Sequence, residues 1–259
     1  MNLDQSRVRV RERTMGEVLD LAIVFIKSDA VAYGKLFLLV IVPASVLVYW
    51  LVNVVALDSL YFYIIIMVLA TPMVRYPILL YASSAMFDSQ PSLKNMTVDW
   101  LGLQQPIITR LLLPRLLGAV FILAPLFEIW WRYFAEEIVL LERVSGKQFG
   151  PRLRNLQSKL SSEAGGLFFA HLVFGSVMVG SAYLTWLVAA MLFESHFRLV
   201  TPETIHITFP FILLYLTVQA FLAVSKFLYY LNLRTVHEGW ELFLEVRKCR
   251  THETVRGLL

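Results

Sequence analysis

Glu128, Arg132, Glu136 and Glu137 fall within ten residues of an otherwise apolar and aromatic stretch. On a helix, Glu128 with Arg132 and Arg132 with Glu136 are four residues apart, so the three share one face and can pair internally. Carboxylates held beside a guanidinium suit proton relay or ion coordination, because charge at membrane depth is costly and by default marks a functional place. Acid–base work also needs a tuned ionisation and a bound substrate geometry. The alternative is an element lying at the bilayer interface, where the same charges cost little. Arg75 is set between Pro72 and Pro77 in an apolar run. Each proline removes a helical hydrogen bond and frees a carbonyl, and the guanidinium would satisfy the resulting kink. Structural pairing, snorkelling toward headgroups, and contact with a ligand or lipid phosphate are its other readings. Lys226, just before the end of the last apolar run, reads as a snorkelling residue.

Other chemistries find no foothold in the pattern. His171 is alone in an apolar run and reads as packed, while His196 and His206 are near Glu194 and Glu203 without the tight spacing of a zinc site. No metal and no cofactor are therefore expected. There is no Gly-x-Ser-x-Gly, and Gly175-Ser176 and Gly180-Ser181 read as small-residue packing surfaces. No Gly-rich loop ends in Lys-Ser or Lys-Thr, so nucleotide phosphates have no cradle.

The elements that must position these charges are set by composition. Of 259 residues, 58% are hydrophobic and only 16% charged, against about 25% charged in soluble domains. Mean hydropathy is +0.66, and several apolar runs reach the roughly 20 residues a helix needs to cross a bilayer. The expected fold class is all-α: a polytopic integral membrane helical bundle. A single cysteine, Cys249, excludes an intramolecular disulfide.

Five runs read as crossings: Leu36–Leu57, Leu60–Phe87, Ile107–Pro125, Gly166–Phe193 and Ile207–Leu231. Five crossings would put the basic ends on opposite sides and the Arg132–Lys159 region outside, against the positive-inside rule. A bend at Pro125, with Leu126–Leu141 returning as a short sixth element, removes the conflict. About six membrane-embedded helices then place both termini, the 88–106 loop and the 142–165 loop in the cytoplasm. The outer segments keep one basic residue, Arg198, of 23 in the chain. The first 14 residues carry Arg7, Arg9, Arg11 and Arg13 without the apolar core of a cleavable signal peptide. A multi-pass protein of a bacterial cytoplasmic (inner) membrane is expected.

One membrane domain covers residues 1–259. Residues 1–34 are a cytoplasmic basic segment with an interfacial helix over 15–27, whose Met15, Val18, Leu19, Ala22, Ile23 and Ile26 recur at helical spacing. Residues 35–232 form the bundle, and 233–259 an amphipathic tail. Ser92–Leu103 and Gln148–Leu160 are further amphipathic helices on the cytoplasmic face. Glu17, Asp20, Arg234, Glu238 and Trp240 are the candidate residues for docking a protein partner. Net charge is +4, but the basic residues flank apolar runs, which points to anionic headgroups and membrane lipids rather than nucleic acid.

Three runs carry a family resemblance: Arg13-Thr-Met-Gly-Glu17-Val-Leu19-Asp20; Glu142-Arg-Val-Ser-Gly146 with the following Arg152-Leu-Arg154; and Tyr229-Tyr230 through Arg234 to Glu238-Gly239-Trp240-Glu241. Together they resemble bacterial polytopic proteins related to the membrane domain that accompanies some glycerophosphodiester phosphodiesterases. The resemblance implies about six membrane helices and an amphipathic cytoplasmic element before the fifth, and it implies no activity. The expected function is a non-catalytic membrane subunit or scaffold organising a complex or lipid environment. The alternative is a transporter or channel for a small solute, lipid or ion, with Arg75 and the Glu128–Glu137 group lining its route.

Overall fold

The computed structural model describes residues 13–55, 60–87, 91–119, 132–144, 146–192 and 209–238. Among these the secondary structure is helical, and four stretches are long and apolar enough to cross a membrane: Ala30–Asn53, Ile65–Phe87, Phe168–Trp186 and Phe209–Thr235. The chain is thus an all-helical membrane protein. The proposed bend at Pro125, Glu128, and the outer segments with His196 and His206 lie outside the described residues.

Helix α1 (Met15–Ser28) starts at a reciprocal cap: Thr14 Oγ accepts from the Glu17 amide, and Glu17 accepts from the Thr14 amide at 2.8 Å. It buries Val18, Ala22 and Phe25, so its packed face is rotated from the expected stripe, and Ile23 is exposed. The turn at Asp29 is held by the Tyr81 hydroxyl, which donates to Oδ2 at 2.6 Å. The first crossing then runs through α2 (Ala30–Leu36), a π-helical turn at Phe37–Ile41, and α3 (Val42–Val55). Helix α4 (Leu60–Phe87) keeps both Pro72 and Pro77 in its interior.

The amphipathic stretch after it forms α5 (Leu93–Gly102), burying Met96. Next come α6 (Gln104–Ile107), a π-helical turn at Ile108–Leu112 and α7 (Leu113–Ala119). Pro114 has no N–H to give the Arg110 carbonyl four residues back. Arg132 supplies a donor instead, its Nη2 lying 2.5 Å from that oxygen. Residues 132–142 therefore pack back against α6 and α7, with α8 (Ala135–Glu137) running into a third π-helical turn at Ile138–Glu142. Phe134 and Ile138 are completely buried.

Two elements are longer than expected. Helix α9 (Gly146–Leu192) joins the inner amphipathic segment to its crossing in one rod of 47 residues, roughly 70 Å at 1.5 Å per residue. The 142–165 segment is accordingly helical from Gly146 onward rather than a loop. Helix α10 (Phe209–Glu238) likewise carries the start of the tail. Gly175 lets α9 approach α10 closely, since a Cβ there would meet Leu222 Cδ1 at 3.0 Å. At Gly180 the same Cβ would meet nothing within 4 Å among the described residues, so no close approach to a described neighbour calls for that glycine. The outer faces of α3 and α9 are apolar and exposed, with Trp50, Val173, Val177 and Leu184 among them, as hydrocarbon contact requires.

Candidate functional site

Five charged side chains from four separate elements meet inside the bundle. Glu136 of α8 is 3% exposed and receives three cations: Arg115 of α7 at 2.6 Å, Lys226 of α10 at 3.0 Å and Arg75 of α4 at 3.1 Å. Glu137, 1% exposed, lies 3.1 Å from the same Lys226 ammonium. Burying such charges is tolerable only because each has an opposite partner within ion-pair reach. Residues 132–134 form a turn and only then does α8 begin, which is what lets two successive carboxylates enter the bundle side by side.

Lys226 sits between chemistries. Its ammonium is 4.6 Å from the centroid of the Tyr133 ring as well as bridging the two carboxylates. The Tyr133 hydroxyl bonds His171 Nδ1 on α9, and His171 Nε2 lies 2.8 Å from the Ser225 hydroxyl on α10. Thr71 Oγ1 and the Tyr215 hydroxyl are 3.1 Å apart across α4 and α10. Arg75, Arg115, Tyr133, His171, Thr71, Tyr215 and Gln219 line one cavity of about 210 Å³, walled elsewhere by apolar residues such as Val68 and Leu222. Arg75 Nε, itself buried, has no hydrogen-bond partner among the described residues.

Several expectations change with this geometry. Of the readings open to Arg75, the structure shows pairing: its guanidinium meets Glu136. Lys226 does not snorkel: it is 2% exposed and wholly engaged with the cluster. Arg132 and Glu136 do not form the anticipated pair, because the turn at 132–134 breaks the helix that the spacing presupposes; Arg132 goes to the Arg110 carbonyl and stacks over Phe149. The interfacial placement of Glu136 and Glu137 is replaced by full burial. Arg115 is a member that sequence reasoning misses, although Pro114 beside it in an apolar run is the same signal that marks Arg75.

A second junction forms at the other end of the α8 segment. Glu142 accepts from Arg152 Nε and Nη2, each at 2.7 Å, and from the Tyr230 hydroxyl, with Arg234 at 3.7 Å. Burial alone raises the Glu142 carboxyl, but the Arg152 and Tyr230 hydrogen bonds, with the charges of Arg152 and Arg234, outweigh it and hold it below the usual carboxylate range. Nearby, the Arg13 amide donates to Asn232 Oδ1 at 2.8 Å, and Asn232 Nδ2 donates to the Arg13 carbonyl at 2.9 Å. The start of the described chain is thereby clasped to the end of α10.

The docking residues fare unevenly. Glu17 is occupied by the α1 cap and Arg234 turns inward to Glu142. Asp20 is exposed on α1. The Glu238 side chain and Trp240 lie outside what is described. Among the described residues no group of three or more His, Cys, Asp and Glu could hold a metal ion. No family model, curated protein or solved structure matches this chain.

Proposed function

We propose that the chain is a multi-pass membrane transporter that carries a small polar solute through the Arg75–Arg115 cavity. The observation that carries the reading is a largely apolar hollow with two guanidiniums in its wall, set among three membrane-crossing helices and backed by a buried five-charge cluster. Apolar side chains of similar volume generally hold a core as well as buried ion pairs do, so retaining the charges at this depth points to use rather than packing. Irregular helix geometry surrounds the site, in the π-helical turns before α7 and after α8, while α4 runs unbroken through Pro72 and Pro77.

The finer topology belongs to the same proposal: six passages, residues 126–141 included, with both termini on the cytoplasmic side of a bacterial inner membrane. The Arg13–Asn232 clasp supports an even number of passages, since it holds the two ends together. The gathering of basic residues on one set of loops supports the side. Kinship with the polytopic proteins related to the phosphodiesterase membrane domain is proposed on the same footing. The three runs that carry it meet in space, two at the Glu142 junction and the first at the adjoining clasp.

Proteoliposomes test transport directly with labelled acetate, phosphate, choline and glycerol. Saturable uptake of at least one, abolished by Gln219→Phe, is the expected result; none for any of the four overturns the proposal. A reporter fused at Ser145 should read cytoplasmic, and a periplasmic signal would remove the six-passage map. A second reading, a non-catalytic subunit organising a membrane complex, is favoured by the inner end of α9 being fastened through Arg152 and Glu142 to α10. Such a fastening gives a partner a rigid face, and cross-linking in intact membranes should then recover one reproducible partner.

A further inference from the structure

The charges around the cavity are not distributed evenly. Among the described residues, Arg75, Arg115 and Lys226 face Glu136 and Glu137. Both carboxylates lie behind the wall rather than in it. Among the described residues, the ionic groups lining the cavity are two guanidiniums and no carboxylate. Two buried polar atoms of the cluster, Arg75 Nε and Glu137 Oε2, have no hydrogen-bond partner among the described residues. The Gln219 side chain also lines the hollow.

From this arrangement we infer that the cavity is a binding site for a small anion bearing a carboxylate or phosphate group, an inference that rests on the transport reading for its biological use but not for its chemistry. Guanidinium groups match the two-oxygen edge of such anions, and hydrogen bonds to an ionised acceptor are the stronger kind. A bound anion would sit against two guanidiniums. A cation would meet like charge where the dielectric is low, and a neutral solute would lack the ionised acceptor that makes such bonds strong. The size comes from the volume: about 210 Å³ is smaller than the roughly 300 Å³ at which drug-sized pockets begin. Two anion sources share this chemistry, a free solute and the headgroup of an anionic lipid.

The test uses the full chain in phosphatidylcholine nanodiscs, whose lipid has no net charge. Sodium acetate, sodium phosphate, choline chloride and glycerol are titrated at constant ionic strength against a chloride background, and thermal unfolding is followed. Acetate or phosphate should raise the midpoint saturably, while choline and glycerol should not. Arg75→Gln should weaken the response about tenfold, the loss of one charge-assisted bond. Because that variant also disturbs Glu136, Gln219→Phe is the second arm: it fills the cavity and leaves every ion pair intact, and it should abolish the response. No shift with either anion, a shift with choline or glycerol alone, or a full anion response in Gln219→Phe overturns the inference. Nanodiscs doped with phosphatidylglycerol identify the source: suppression of the free-anion response assigns the site to a headgroup, and persistence assigns it to the solute. Anion binding without uptake removes the transport reading and keeps the site. Uptake of choline or glycerol without anion binding does the opposite.

Discussion

Replacing Glu136 by glutamine keeps the shape of the side chain and removes its charge, taking from Arg75, Arg115 and Lys226 the carboxylate they share. Three cations within 3.1 Å lose their shared carboxylate at a position 3% exposed. Removing one partner of a buried ion pair costs roughly 3–5 kcal/mol, because the others stay desolvated and uncompensated. For a chain of this size each kcal/mol moves the unfolding midpoint by about 2–4 °C, so Glu136→Gln should lower it by roughly 6–20 °C in nanodiscs. Tryptophan fluorescence during heating reads the shift. Removing a stranded cation as well should give back part of the loss: Glu136→Gln combined with Lys226→Met should be milder than the sum of the singles by about 0.5–3 kcal/mol. A midpoint within about 2 °C of the parent, or strictly additive variants, would refute the view that this cluster is electrostatically bound.

Gly175→Val should destabilise by about 1–3 kcal/mol through overpacking against Leu222, while Gly180→Val, with no described neighbour within 4 Å, should be neutral; paired heating curves compare them. Glu142 titrates lower when folded than when unfolded. Its contribution is therefore fully present above the unfolded value, near 4.5, and disappears as pH falls through the lowered folded one. Stability followed from pH 7 downward should drop in that acidic window, and Glu142→Gln should flatten this part of the curve. Amine-reactive labelling followed by mass spectrometry should modify the exposed Lys94 and Lys147 but spare Lys226, which is 2% exposed; prompt modification of Lys226 would contradict its burial.

The features legible in the residues are those that depend on length and apolar content. Leu60–Phe87 agrees with its apolar run, Phe209–Glu238 starts near its own and overruns it into the tail, and Arg75 and Glu136 stand out because charge inside such runs is costly. The features that escape the residues depend on register. The four-residue spacing of Arg132 and Glu136 means a shared face only on an unbroken helix, and three residues of turn remove that condition. The π-helical turns at Ile108–Leu112 and Ile138–Glu142 add a residue to a turn and rotate the helix beyond them, so Arg115 arrives at Glu136 by a rotation no periodic template contains. Lys226 departs from its expected place for a different reason: proximity to the end of a crossing fits escape to water, and only the partners brought by α8 make staying inside cheaper. The convergence of Tyr133, His171 and Ser225 joins three distant segments and has no local signature.

The order in which the cluster's members leave the ribosome gives the central knot a history. Arg75 and Arg115 are synthesised first, and Glu136 and Glu137 follow. Lys226 comes some ninety residues after Glu136, so the last helix to be inserted completes the packing and, in the same act, supplies the ammonium that ties the two carboxylates together.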